Sequence, residues 1–171
     1  KEDYDTAISY YNKAKEIDPN EHMIDYELGQ TLVLKKEYEP GKEKFNRVIE
    51  IGNDEIKSYG YKGLADLKRK QRKYEEAIEL YKKGISIFND NTDAKLGMAL
   101  TYSKNGNNPE AISIVKSILE KDSQNAKAYF DLGKYQKMEK NSEDSAVSFK
   151  KACELGEKKA CEETGEKKKK K

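Results

Sequence analysis

Small and bulky residues alternate along this chain in one repeating register. Ala7, Gly41, Ala77, Ala111 and Ser145 are separated by 34, 36, 34 and 34 residues. Four positions after each stands a larger side chain: Tyr11, Phe45, Tyr81, Val115 and Phe149. Three further on come Ala14, Val48, Gly84, Ile118 and Ala152. Within each copy the apolar positions fall at i, i+3, i+4 and i+7, the spacing of one helix face. A second small residue, at Gly29, Ala65, Ala99 and Gly133, marks an earlier helix in the same copy. The pattern predicts two helices per period, and a period of this length belongs to a stacked array of helical hairpins. The small residues are expected to meet pairwise, Gly29 with Gly41 through Gly133 with Ser145, so that the helices approach closely.

Turn chemistry punctuates the same units. Pro40 and Pro109 stand at or just inside the start of a second helix, where a missing N–H is harmless, and Pro19 follows a helix end. The polar stretches Gly52-Asn53-Asp54, Asn89-Asp90-Asn91-Thr92 and Asp122-Ser123-Gln124-Asn125 separate one copy from the next. The two additional residues between Gly41 and Ala77 are expected to lengthen the loop around Asp54 to Lys57. The resulting expectation is an all-α, right-handed α-solenoid of antiparallel helix pairs with about four and a half repeats. Residues 1–20 supply the second helix of a truncated repeat. Full repeats follow over 21–57, 58–91, 92–125 and 126–157, and 158–171 forms a short capping helix and a lysine tail. Because the chain starts in mid-repeat, it reads as a fragment of a longer protein, with the N-terminal half repeat as one possible contact surface.

Composition fits a thin two-layer core. Charged residues make up 39% of the 171 and the apolar set 35%, values that a globule with one central core does not favour. The formal charge is +2, so the body carries no global field to recruit nucleic acid or anionic lipid. The basic excess sits in Lys167–Lys171, which reads as a solvated end. No apolar run reaches the ~18 residues of a membrane span.

The residues quoted above carry a family resemblance. Tyr4-x-x-Ala7-x-x-x-Tyr11-x-x-Ala14 with Pro19, the pairs Leu28-Gly29 and Leu64-Ala65, and Tyr74-x-x-Ala77-x-x-x-Tyr81 resemble the tetratricopeptide repeat over about residues 1–157. Asn108 and Ser142 stand where that family places a tyrosine before the second helix. The resemblance implies a non-enzymatic interaction scaffold or assembly module that holds a peptide or partner helix in a concave groove walled by each first helix. By spacing, the groove residues are Met23, Tyr26, Gln30 and Leu34; Tyr59, Lys62 and Arg69; Leu96 and Leu100; Lys127, Phe130, Lys134 and Met138. Aromatic and basic groups alternate there, which suits a protein or peptide partner bearing acidic groups. Chaperone-tail clamps of the family need lysines and asparagines in a fixed frame, and neither Tyr26, Gln30, Gly63, Asp93, Gly97 nor Lys62, Asp66, Gly97, Lys127, Asp131 supplies it. The alternative function is binding of nucleic acid or an anionic surface through the basic C-terminal unit and lysine tail.

Catalytic chemistry finds no constellation in the sequence. There is no phosphate-binding glycine loop, nucleophile elbow or Glu/His metal spacing. His22 is the only histidine and reads as a surface residue, so no catalytic residue, metal or cofactor is expected, nor a small-molecule substrate. Cys153 and Cys161 are the only cysteines. On one continuous helix they lie about 12 Å apart, whereas a hairpin at Gly156 brings them together. The stretch around them resembles the junctions of cysteine-rich, Sel1-like relatives, which implies a disulfide between consecutive helices. Two free thiols are the other reading. A bridge points to an extracytoplasmic compartment such as a bacterial periplasm, and free thiols to the cytoplasm.

Overall fold

The structure is a computed structural model that describes residues 3–165; the run Lys167–Lys171 lies outside them. It is all-α. The described residues form α1 (Tyr4–Ile17), α2 (His22–Leu34), α3 (Tyr38–Ile51), α4 (Asp54–Lys70), α5 (Tyr74–Ile87), α6 (Thr92–Lys104), α7 (Asn108–Lys121), α8 (Ala126–Met138), α9 (Ser142–Glu154) and α10 (Lys158–Thr164). Two compact units divide the chain, Lys1–Gly97 and Met98–Lys171, with the boundary inside α6.

In the first unit each helix packs on its sequence neighbour, α1 on α2, α2 on α3, α3 on α4 and α4 on α5, while α2 also meets α4. The small residues explain the close approach. A Cβ added to Gly41 would stand 3.0 Å from the Gly29 carbonyl oxygen, and one on Gly29 only 2.7 Å from the Phe45 ring. Backbone therefore meets backbone, and Phe45 and Val48, 1% and 0% exposed, fill the layer behind. Tyr26, Val33 and Leu67 complete this core, with Met23, Ile56, Tyr59 and Leu64 packed at its edge. Where one repeat follows another, the seam is polar: Asn91 donates to the Ser58 hydroxyl at 2.9 Å while its side-chain oxygen caps α6 at the Ala94 N–H. Both side chains are buried, so the cap also ties the first turn of α6 to Ser58 of α4.

The second unit repeats the scheme with α7 on α8, α8 on α9 and α9 on α10. Ser145 occupies the small-residue position there, and its hydroxyl donates to the Gly133 carbonyl at 2.8 Å. Phe149, Ala152 and Ala160 form a core against Tyr129 and Phe130.

Two expectations from sequence are corrected. The additional residues before Ala77 do not lengthen a loop; α4 runs for 17 residues against 13 for α2, α6 and α8. Asn53 caps the Ile56 N–H, and Asp54 and Glu55 follow in the first turn, where carboxylates favour helix. An additional helical turn therefore forms and the linker shrinks to Gly52-Asn53. His22, read as a surface residue, is partly buried at the start of α2, next to Glu21, whose carbonyl accepts from Lys15 of α1.

Every turn from a first to a second helix uses one left-handed residue: Lys36 (φ 73°), Arg72 (φ 61°), Gly106 (φ 87°) and Lys140 (φ 60°). A side chain in that conformation costs about 1 kcal/mol. Arg72→Gly and Lys140→Gly are accordingly expected to stabilise the chain by about 0.5–1 kcal/mol each, read as a shift in the urea midpoint at unchanged slope. A lower midpoint would show that these side chains make contacts worth more than the backbone strain.

Candidate functional site

The first-helix face of the first unit carries a connected polar network. Helical spacing puts Lys62, Asp66 and Arg69 of α4 on one stripe, and the α2–α4 contact brings Tyr26 and Gln30 beside it. Gln30 Nε2 donates to the Tyr26 hydroxyl at 2.5 Å, and Lys62 Nζ donates to the same oxygen at 2.9 Å and to Asp66 Oδ2 at 2.8 Å. Asp66 Oδ1 accepts from the Tyr81 hydroxyl at 2.6 Å and from the Arg69 guanidinium. The Lys62 ammonium also lies 5.6 Å from the centre of the Tyr26 ring, and the Tyr26 and Tyr59 rings meet in an edge-to-face arrangement with centres 5.5 Å apart.

Burial and charge act against each other in this network. Burial pushes the Tyr26 phenol up to about 12, only partly offset by the nearby Lys62. Burial also lifts the Asp66 carboxyl, but Lys62 and Arg69 outweigh it and hold the group below its ordinary value. For Lys62, burial favours the neutral form; Asp66 and the Tyr26 oxygen reverse that and raise it. One carboxylate thus serves two cations that stay 13% and 19% exposed. The pair retains one positive charge beyond what Asp66 neutralises, at a surface that meets solvent.

The predicted groove residues separate into distinct roles. Tyr26 and Leu96 are 4% and 5% exposed and pack in the core of the first unit. The Tyr26 hydroxyl is already engaged by Gln30 and Lys62. Met23, Gln30, Tyr59, Lys62 and Arg69 are partly exposed, and Leu34 is 50% exposed. In the second unit Leu100 is partly buried, Lys127 exposed and Met138 58% exposed beside the Ser103 hydroxyl. Phe130 leans on Phe149 with ring centres 5.7 Å apart, and Lys134 sits 5.4 Å from its ring centre. Cys153 and Cys161 are joined, with Sγ atoms 1.98 Å apart and Cα atoms 4.7 Å apart. Gly156, at φ 102°, turns the chain between them.

The groove residues expected from sequence do not include Tyr81, which joins the network from α5. The signal was present: Lys62-x-x-x-Asp66-x-x-Arg69 is an ion-pair spacing, and Tyr81 stands where Phe45 and Phe149 stand in other repeats. A tyrosine at a buried phenylalanine position needs a hydroxyl partner. Among the described residues no cluster of histidine, cysteine and carboxylate side chains could hold a metal, and no helix is long and apolar enough to cross a membrane.

Comparison with known proteins agrees with this architecture. The tetratricopeptide repeat family matches residues 68–136 and, through a second description of the same repeat, residues 1–21. The chain belongs to the tetratricopeptide repeat family, whose members are protein–protein interaction modules. It is 29% identical over 133 residues to the protein CTR9 homolog of Arabidopsis thaliana, covering 77% of this chain and 12% of that protein. It is 31% identical over 118 residues to a TPR repeat-containing protein of Methanocaldococcus jannaschii, covering 69% of this chain and 20% of that protein. The chain therefore spans a small part of both relatives. Among solved structures, a tetratricopeptide repeat protein from Parabacteroides merdae superimposes with a TM-score of 0.76 at 22% identity, covering 94% of this chain and 62% of that one. YrrB, a TPR protein with an unusual peptide-binding site, gives 0.64 at 20% identity, covering 96% and 84%. The first TPR of Spaghetti (RPAP3), bound to the HSP90 peptide SRMEEVD, gives 0.61 at 23% identity, covering 66% and 91%. At these identities the superpositions establish the fold.

Proposed function

We propose that this chain is a non-enzymatic scaffold or assembly module whose first unit holds a peptide or partner helix against the first-helix face of α2 and α4. The observation that carries the reading is the Lys62–Asp66–Arg69 stripe beside Tyr59. Two cations are fixed in place by one carboxylate and a buried phenol, so little side-chain entropy is lost when an acidic group docks. Tyr59, Met23 and Leu34 supply apolar contact along the same face. YrrB and RPAP3, which share the fold, support a peptide as the ligand. In the second unit the exposed Met138, with Lys127, Phe130 and Lys134, offers a face of the same kind. The Cys153–Cys161 bridge favours an oxidising, extracytoplasmic setting, and a mass change of two hydrogens on reduction of native material tests it.

A pull-down from native extract, repeated with Tyr59→Ala combined with Lys62→Gln, tests the assignment. The double variant is expected to lose the main captured protein while keeping its helical circular dichroism. Retention of every partner overturns the assignment. Capture of nucleic acid, lost at about threefold higher salt, favours the anionic-polymer reading instead.

A further inference from the structure

A second charged cluster lies away from that face, where α1 and α3 flank α2. Asp25 is 1% exposed, yet it sits at the register position filled by Tyr61 and Tyr129 in other repeats, 16 residues before the small residue of the second helix. A buried carboxylate in place of an aromatic ring needs compensation, and three cations provide it. Lys15 of α1 lies 2.9 Å from Asp25 Oδ2, Lys44 of α3 lies 3.5 Å from Oδ1, and Arg47 Nε of α3 lies 3.5 Å from Oδ2. Lys15 also donates to the Glu21 carbonyl at 3.2 Å and is 19% exposed. One close cation suffices to pair one carboxylate. Lys44 and Arg47 stand further off, remain 33% and 54% exposed, and keep donors turned toward solvent. Their spacing of three residues places them on one side of α3, and Ile51, one turn beyond Arg47, is 40% exposed. Ile17, the corresponding last residue of α1, is 85% exposed.

We infer that Lys44 and Arg47, held by Asp25 and followed on the same side of α3 by Ile51, form a docking ledge for an amphipathic acidic segment of a partner protein. Three cations around one buried carboxylate leave two positive charges without a counter-charge inside the cluster. Asp25 fixes their direction, and the exposed Ile51 distinguishes a peptide, which brings apolar side chains, from a bare phosphate or a nucleic acid backbone. The ledge lies on second helices, so it acts independently of the first-helix face and leaves that face free for another ligand.

The test uses the full chain with arginine-labelled NMR and a fluorescent synthetic peptide of alternating glutamate and leucine turns. Titration with this peptide is expected to move the Arg47 Nε–H signal, leaving Arg69 and Arg72 in place. Lys44→Gln with Arg47→Gln is expected to weaken peptide binding about tenfold, whereas Lys82→Gln with Lys83→Gln, an equal charge change on α5, leaves it within about twofold. The glutamine version of the peptide is expected not to bind. An unmoved Arg47 signal overturns the inference even if the double variant folds poorly, as does a response to inorganic phosphate or single-stranded DNA equal to that of the peptide. Binding lost in Tyr59→Ala with Lys62→Gln but kept in the ledge variant also overturns it and assigns the acid to the first-helix face. Binding kept in the groove variant and lost in the ledge variant supports it whatever the fate of the groove assignment.

Discussion

Phe45→Ala is expected to remove about 3–5 kcal/mol from the first unit, the range for emptying a buried phenylalanine site. The ring is 1% exposed and is the common neighbour of two glycines on different helices: Cβ atoms built on Gly29 and Gly63 would stand 2.7 Å and 2.4 Å from it. It also meets Tyr26, with ring centres 5.9 Å apart. One side chain therefore joins α2, α3 and α4. The loss is read by urea denaturation, and because stability in such arrays is divided among neighbouring repeats, it concentrates in amides of α2 to α4 when hydrogen exchange is followed. The same geometry predicts coupling. Gly63→Ala alone forces the Phe45 ring to move and is destabilising by about 1–3 kcal/mol, but in a Phe45→Leu background the new methyl occupies vacated volume and costs less. Strict additivity of the two changes would show that Gly63 does not depend on the ring.

Asp66→Ala ranks second, at about 2–3 kcal/mol. The substitution leaves the buried Tyr81 hydroxyl without its acceptor and sets Lys62 and Arg69 side by side with no carboxylate between them. Partial exposure of both cations keeps the loss below that of a fully buried pair. The pH dependence has a definite sign. The Asp66 carboxyl is held below its ordinary value in the folded chain, so its contribution is complete above about pH 4, the unfolded value, and is lost as pH falls through the folded one. Stability of the parent chain is expected to drop more steeply with acid than that of Asp66→Asn. Parallel acid limbs for the two proteins would remove the network from the account of stability. Tyr81→Phe, which deletes only the hydroxyl, is expected to cost about 1 kcal/mol.

The repeat register was open to reading because it is written in local spacing. Ala77, Ala111 and Ala152, singled out for helix contact, are all 0% exposed, and Tyr38, Tyr74, Asn108 and Ser142 each begin a second helix. The placement of the additional residues was not open, since Asp54 to Lys57 suits a loop as well as a capped first turn, and only packing of Ile56 on the core made the longer helix the better choice. Candidate site residues divide in the same manner. Lys62 and Arg69 follow from helical phase alone, while the burial of Tyr26 and Leu96 depends on how the neighbouring helix lies across them. Local spacing does not single out Asp25 in a highly charged chain. Its partners come from positions 15, 44 and 47, on two other helices.

The amino-acid order by itself determined a stack of helical hairpins, their period and the two faces each helix presents, because side-chain size and polarity at fixed spacing act through contacts within a helix and its nearest neighbour. The tertiary structure alone decided which charges become partners across helices, which aromatics are spent on the core and which remain for a ligand. Those outcomes depend on distances between residues far apart in the chain, and burial multiplies the strength of every charge interaction it encloses.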